Sequence, residues 1–211
     1  MADNKQIKDG SGNLFTMALK DLAGVFINRH VVVNENNNML GVDTSTRARI
    51  GIEYEHHEVH SGSHYFYTDK NEVDSAATQV FMWTTPDTTK WIHMTFTATG
   101  SAITQVDLYE AGDRVGDTAQ TARNNDRNSL NTSGLVIHKG VTGAGSTDGT
   151  LIWTLKSGSA SGNSRAASVH ERGAEIILKQ NTKYLLRFTS GTNSNLTNLQ
   201  LEWYEHTNKT D

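Results

Sequence analysis

Lys90-Trp91-Ile92-His93-Met94-Thr95-Phe96-Thr97-Ala98-Thr99 alternates without a break. Ile92, Met94, Phe96 and Ala98 form an apolar row, and Trp91, His93, Thr95 and Thr97 fill the positions between them. Successive side chains on a strand point to opposite faces, so this stretch predicts a strand that buries one face only. The pattern recurs downstream. Val106 and Leu108 point inward in Thr104-Gln105-Val106-Asp107-Leu108-Tyr109-Glu110, as do Tyr184, Leu186 and Phe188, and then Leu199, Leu201 and Trp203. Further strands are expected at 78–84, 135–138, 150–156 and 175–179, with Thr85-Pro86-Asp87 as a turn. Roughly 8–12 residues separate these short strands, and no convincing amphipathic helix interrupts them. The expectation is an all-β fold, a β-sandwich or jelly roll with long loops.

Composition agrees. The 211 residues include 26 Thr and 18 Asn, which favour strands and turns respectively. No internal repeat of fixed period points to a solenoid or propeller. There is no cysteine, which excludes disulfides, thiolate metal sites and a cysteine nucleophile. Net charge is −4 with both signs mixed, so no basic footprint for nucleic acid exists. No apolar run reaches the roughly 18 residues of a membrane span, and Met1-Ala2-Asp3-Asn4-Lys5 leads into no apolar leader core. Neither nucleic acid nor a membrane is an expected partner.

The chain organises into three parts. Residues 1–33 carry two extended runs, 14–20 and 25–33, and read as a hairpin-like N-terminal segment or as the first strands of the main domain. A hairpin alone is marginal in water, so this segment is the candidate anchor, with Phe15, Phe26 and Arg29 as candidate contact residues. Residues 34–49, rich in Asn, Thr, Ser and Arg, form the candidate linker, and the β domain occupies 50–211. Residues 112–133 and 157–173 read as long loops. A long loop in a compact domain usually means function or disorder, and Arg123 and Arg127 in the first are candidate subunit contacts.

Glu53-Tyr54-Glu55-His56-His57-Glu58-Val59-His60-Ser61-Gly62-Ser63-His64 concentrates four of the nine histidines. The helical zinc-protease signature requires His-Glu-x-x-His. Here His57 and His60 stand one residue too close, and Ser61-Gly62-Ser63 breaks a helix. Read instead as a strand, the run puts His56, Glu58 and His60 on one face, either as metal ligands with His64 or as a polar contact surface. The expectation is the contact surface, with His56 and His60 as interface residues and no metal or cofactor.

Other chemistry is weakly signalled. Glu53, Glu55, Glu58 and Asp107 supply carboxylates without a readable pairing. There is no Gly-x-Ser-x-Gly elbow, and the glycines of 140–149 lack a phosphate-loop lysine. Trp83, Trp91, Trp153 and Trp203 fit a core or a subunit interface better than a sugar-binding face.

Several motifs nonetheless form a recognisable set: Asp9-Gly10-Ser11-Gly12-Asn13, Glu55-His56-His57-Glu58-Val59-His60-Ser61-Gly62, Thr85-Pro86-Asp87-Thr88-Thr89-Lys90-Trp91, Asn125-Asp126-Arg127-Asn128-Ser129 and Leu201-Glu202-Trp203-Tyr204-Glu205-His206-Thr207. In these the chain resembles the capsid decoration (cement) proteins of tailed bacteriophages. The resemblance implies a non-enzymatic virion protein made in the bacterial host cytoplasm. It would bind the outer surface of the major capsid protein shell as a homo-oligomer, a trimer or dimer, and stabilise it. The alternatives are a tail or fibre component that binds a host-surface glycan, and a metal-dependent enzyme at the His-rich run.

Overall fold

A computed structural model describes residues 54–142, 147–159 and 168–207, together with four short strands between residues 5 and 28. The chain divides into two compact units, Met1–Ile52 and Glu53–Asp211. In the first, β1 (Lys5–Lys8) pairs antiparallel with β2 (Leu14–Met17), and β3 (Leu19–Leu22) with β4 (Val25–Asn28). The hairpin expected between 14–20 and 25–33 is present where Leu19–Leu22 pairs with Val25–Asn28, and Leu14–Met17 pairs backwards with Lys5–Lys8 as a second hairpin. Phe15 lies on β2 and Phe26 on β4, whereas Arg29 and the candidate linker lie outside the described residues.

The second unit opens with a helix, α1 (Tyr54–His60), and continues as strands. These are β5 (His64–Val73), β6 (Thr78–Thr84), β7 (Lys90–Gly100), β8 (Thr104–Ala111), β9 (Val115–Gln120) and β10 (Arg123–Asn124). There follow β11 (Val136–Thr142), β12 (Gly149–Ser157), β13 (Ser168–Leu178), β14 (Lys183–Ser190) and β15 (Asn195–Thr207). They form a five-stranded sheet, β10-β5-β15-β7-β13, and a six-stranded sheet, β12-β8-β14-β6-β11-β9. Every pairing is antiparallel.

Eight of these strands pair as nested hairpins. β5 pairs with β15, β6 with β14, β7 with β13, and β8 with β12. Successive pairs alternate between the two sheets, which is the jelly-roll winding. The remaining strands come from the β8–β12 connection. β11 adds to β6, β9 adds to β11, and β10 pairs with the edge of β5. The irregular loop expected over 112–133 thus contains two strands, and β13 begins at Ser168, inside the second expected loop. Exposure explains why β9 left no trace: with little of it buried, selection for an apolar row is absent.

The core is made by the inward rows the sequence marked. Ile92, Met94, Phe96 and Ala98 meet Leu199, Leu201 and Trp203 within the five-stranded sheet, and Val106, Leu108, Tyr184, Leu186 and Phe188 oppose them from the other. Each large apolar side chain so buried contributes about 1.5–3 kcal/mol. Trp83 and Trp203 are core residues, Trp153 packs edge-on against Phe96 at the core margin, and Trp91 lies half-buried on the outer face.

The outer face of the six-stranded sheet is tied by charge. Arg114 and Arg187 both bind the carboxylate of Asp148, and the Arg187 guanidinium lies 5.1 Å from the Tyr109 ring centroid. Burial alone would raise the Asp148 carboxyl, but the two arginines outweigh it and hold the group below its ordinary value. A lowered folded value stabilises the fold above the unfolded value of about 3.9, and that contribution is lost as pH falls towards the lower folded one. Melting temperature is therefore expected to drop below about pH 4, and Asp148→Asn to flatten that drop while lowering the neutral-pH value. Equal acid sensitivity in the variant would rule the arginine clamp out as a cause.

Candidate functional site

The His-rich run is not a strand. Tyr54–His60 is helical, and Gly62 ends it with a left-handed φ of 70°. The Gly62 N–H donates to the Val59 carbonyl at 3.0 Å, and the Ser63 N–H to the Glu58 carbonyl at 3.0 Å. This is the paired closure of a Schellman cap, which needs glycine at that one position. Ser61-Gly62-Ser63 is thus a helix stop. Inside, the Ser61 and Ser63 hydroxyls donate to the buried Glu58 carboxylate. The helix packs on β5 and β15.

With the helix in place, His56 and His60 stand one turn apart on one face. Their Nε2 atoms are 2.8 Å apart and both side chains are exposed. Glu55 reaches His64, the first residue of β5, at 3.5 Å. The amide of Asn125 bonds the Nδ1 of the same ring.

His64 begins an aromatic row across the outer face of the five-stranded sheet. It stacks on Tyr204 at 6.3 Å, and Tyr204 stacks on His93 at 4.7 Å. The Tyr204 hydroxyl donates to Glu175 at 2.6 Å, and Glu175 also pairs with His93. Burial would raise the Glu175 carboxyl, but the bonds from Tyr204 and His93 prevail and leave it lowered. His93 and Glu175 brace the sheet surface through each other and Tyr204.

Further along the same face the side chains become small and polar. Thr68, Gln200 and Thr97 lie in one cross-strand row, and Lys70, Asn198 and Thr99 in the next. Together they line an open trough of about 600 Å³. A second concavity of about 330 Å³ adjoins it through Thr68 and is lined by Phe66, Gln120 and Arg123. A third, of about 370 Å³, adjoins through Lys70 and Asn198. No sequence signal marks this trough beyond the polar half of each alternation, since only the strand order brings the rows together.

Of the expected contact residues, His56 and His60 come together, and Arg123 and Arg127 share one loop but do not meet the histidines in any described bond. Arg123 is exposed, and Arg127 bonds the Asn124 carbonyl at 3.4 Å. The loop is ordered by its own chain. Asn124 is buried and donates to the Gly62 carbonyl at 2.8 Å. Asp126 and Asn128 donate their N–H groups to the side chains of Asn124 and Asp126 at 2.9 Å each, as Asx turns do. Its far end is pinned by buried Glu205, which accepts from the Ser133 hydroxyl at 2.6 Å and the Gly134 N–H at 3.0 Å. Burial, then the Glu205 charge, push the neighbouring Tyr65 phenol up to about 12.

A second surface differs in kind. β12 is the edge of its sheet, with a register shift between Leu151 and Trp153. Leu151, Ile152 and Leu155 are 39–48% exposed along it, and Ile177 on the facing edge strand β13 is 50% exposed. Thr150-Leu151-Ile152-Trp153-Thr154-Leu155 fails to alternate, which is the one readable sign that neither face is fully covered. Among the described residues no group of three or more His, Asp or Glu side chains converges as a metal site.

Comparison with known proteins returned no matching family model, no matching curated protein and no matching solved structure.

Proposed function

We propose that this protein is a structural component of a tailed-phage virion, decorating the outer surface of the capsid shell and stabilising it as a homo-oligomer. The observation that carries the reading is the exposed apolar run Leu151, Ile152 and Leu155 on the edge strand β12. Exposed apolar side chains gathered on one edge mark a protein contact. An edge strand beside them offers unpaired main-chain groups to a second copy. Such a contact closes into a ring or a pair when it is symmetric. The resemblance of the sequence to decoration proteins supplies the partner, the major capsid protein. The two hairpins of the first unit supply a candidate anchor, since short strand pairs gain stability by adding to another sheet edge.

Two measurements test this. Leu151→Glu with Leu155→Glu is expected to convert an oligomer to monomer in analytical ultracentrifugation, with little change in melting temperature. A wild-type monomer at the concentrations found on a capsid would remove the edge from the argument. For placement, cosedimentation with heads of the phage encoding the chain is expected for the full protein and lost on deletion of residues 1–33. Retention of the truncated protein eliminates the anchor, and label confined to tail tips in electron microscopy eliminates decoration itself.

The trough favours a second reading, a tail or fibre component that binds a linear host-surface glycan. Thr, Asn and Gln side chains both donate and accept, matching sugar hydroxyls. The lining includes one lysine and an Asp69 carboxylate already engaged by Lys139 at 3.0 Å, so a neutral chain fits better than a polyanion. β15 and β7 have neighbours on both sides, and β10 covers β5 at Tyr65 and Phe66. An array of defined neutral oligosaccharides is the probe. Binding abolished by Asn198→Ala with Gln200→Ala supports this reading; no binding at millimolar sugar ends it.

A further inference from the structure

We propose that His56 and His60 form a two-imidazole chelate for a divalent transition ion of the copper(II) or nickel(II) type. Neither the capsid reading nor the glycan reading requires such a site. Three observations carry it: the helical spacing of four, the exposure of both rings, and the approach of their Nε2 atoms to 2.8 Å. The ring centroids lie 4.7 Å apart with the planes tilted by 48°, so the two nitrogens meet while the rings do not stack.

The distance lets both rings reach one ion. Imidazole nitrogens bind such ions at about 2.0–2.1 Å. Two nitrogens 2.8 Å apart and each ~2.05 Å from one ion subtend about 86° at it. That is close to the right angle of square-planar and octahedral coordination. The intrinsic order of affinities also puts copper(II) ahead, with imidazole an apt ligand for both copper and nickel. With no third carboxylate or imidazole converging among the described residues, water fills the remaining positions.

The proton balance is simple. In the free protein one Nε2–H donates to the other ring's Nε2 lone pair. Binding requires both Nε2 lone pairs, so the shared proton moves to Nδ1 of its own ring, or to solvent if that ring is already protonated there. The ion then bridges one helical turn that Gly62 already closes at its C-terminal end. An ion bound only by the folded chain raises its melting temperature by mass action.

The test is calorimetric titration of the full chain with nickel chloride, and separately with zinc chloride. One equivalent of nickel is expected to bind, more tightly than zinc, with a matching rise in melting temperature. His56→Gln or His60→Gln should weaken nickel binding at least tenfold and abolish the rise, whereas His57→Gln on the same helix should change affinity less than twofold. Melting curves without metal show whether each variant is folded, and using either histidine alone keeps the test open if one fails. No saturable binding by the wild type overturns the proposal. So does binding unchanged in both single variants, which would place the ion on other histidines, or zinc binding more tightly than nickel, which would remove the assigned geometry.

Discussion

Asn195→Leu is expected to cost about 4 kcal/mol of folding stability, at the upper end of single-substitution effects. Asn195 is fully buried at the start of β15, and every polar atom of its amide is used. Its oxygen accepts from the Ala102 N–H at 3.0 Å and the Ser101 hydroxyl at 3.2 Å. Its nitrogen reaches the Ile103 carbonyl at 3.1 Å, the Thr104 hydroxyl at 2.9 Å and the Ser190 hydroxyl at 3.1 Å. One amide thus joins the β7–β8 turn, the end of β14 and the start of β15. A leucine fills the space but orphans those groups where water does not reach, and each orphan costs about 1–3 kcal/mol. In thermal melts the midpoint should fall by about 8–16 °C for a chain of this size. Asn198→Leu, on the exposed face of the same strand, should stay within about 0.5 kcal/mol. Equal losses at the two positions would refute the network argument.

Trp203→Ala is expected to cost a similar amount, about 3–5 kcal/mol. Trp203 is 1% exposed, stacks against Tyr65 at 6.1 Å, and donates its indole N–H to Ser133 and Glu205 at 3.3 Å each. The informative comparison is with Trp83, equally buried, whose indole nitrogen finds no hydrogen-bond acceptor among the described residues. Phenylalanine removes the N–H from both. At 83 it removes a group that was already unsatisfied, so much of the packing loss is offset. At 203 it breaks the link between the sheet and the loop that ends at Gly134. Trp203→Phe should therefore be the more damaging by about 1 kcal/mol, read from urea midpoints; the reverse order would sink the explanation.

The parts of this fold that could be read from sequence are those where one face is buried and the other is not. Ile92 to Ala98, Tyr184 to Phe188 and Leu199 to Trp203 announce themselves because each second residue enters the core. β9 does not, since it is largely exposed, and β12 is blurred because its apolar residues lie on both sides. α1 was illegible for another reason. Seven residues are too few for a 3.6-residue period to separate from a period of two, and the deciding event is the left-handed Gly62 just beyond them. The same misreading hid the His56–His60 pair, because a strand would hold them about 13 Å apart instead of one helical turn. The trough and the apolar edge depend on which strands are neighbours, and that is fixed by contacts between distant parts of the chain.

The nested pairing sets the order in which this protein can be made. β5, the first strand of the jelly roll, pairs with β15, the last, register running from Val73–Asn195 to His64–Tyr204. β15 also pairs with β7, so it is the central strand of its sheet. A chain still emerging from the ribosome lacks the strand on which that sheet closes. Its earlier strands must wait with open edges until residues 195–207 are free, the situation in which β-proteins fold slowly and meet one another. Truncation within 195–207 would leave two unclosed halves, and newly made chains would depend on dilution or chaperones until the final strand is released.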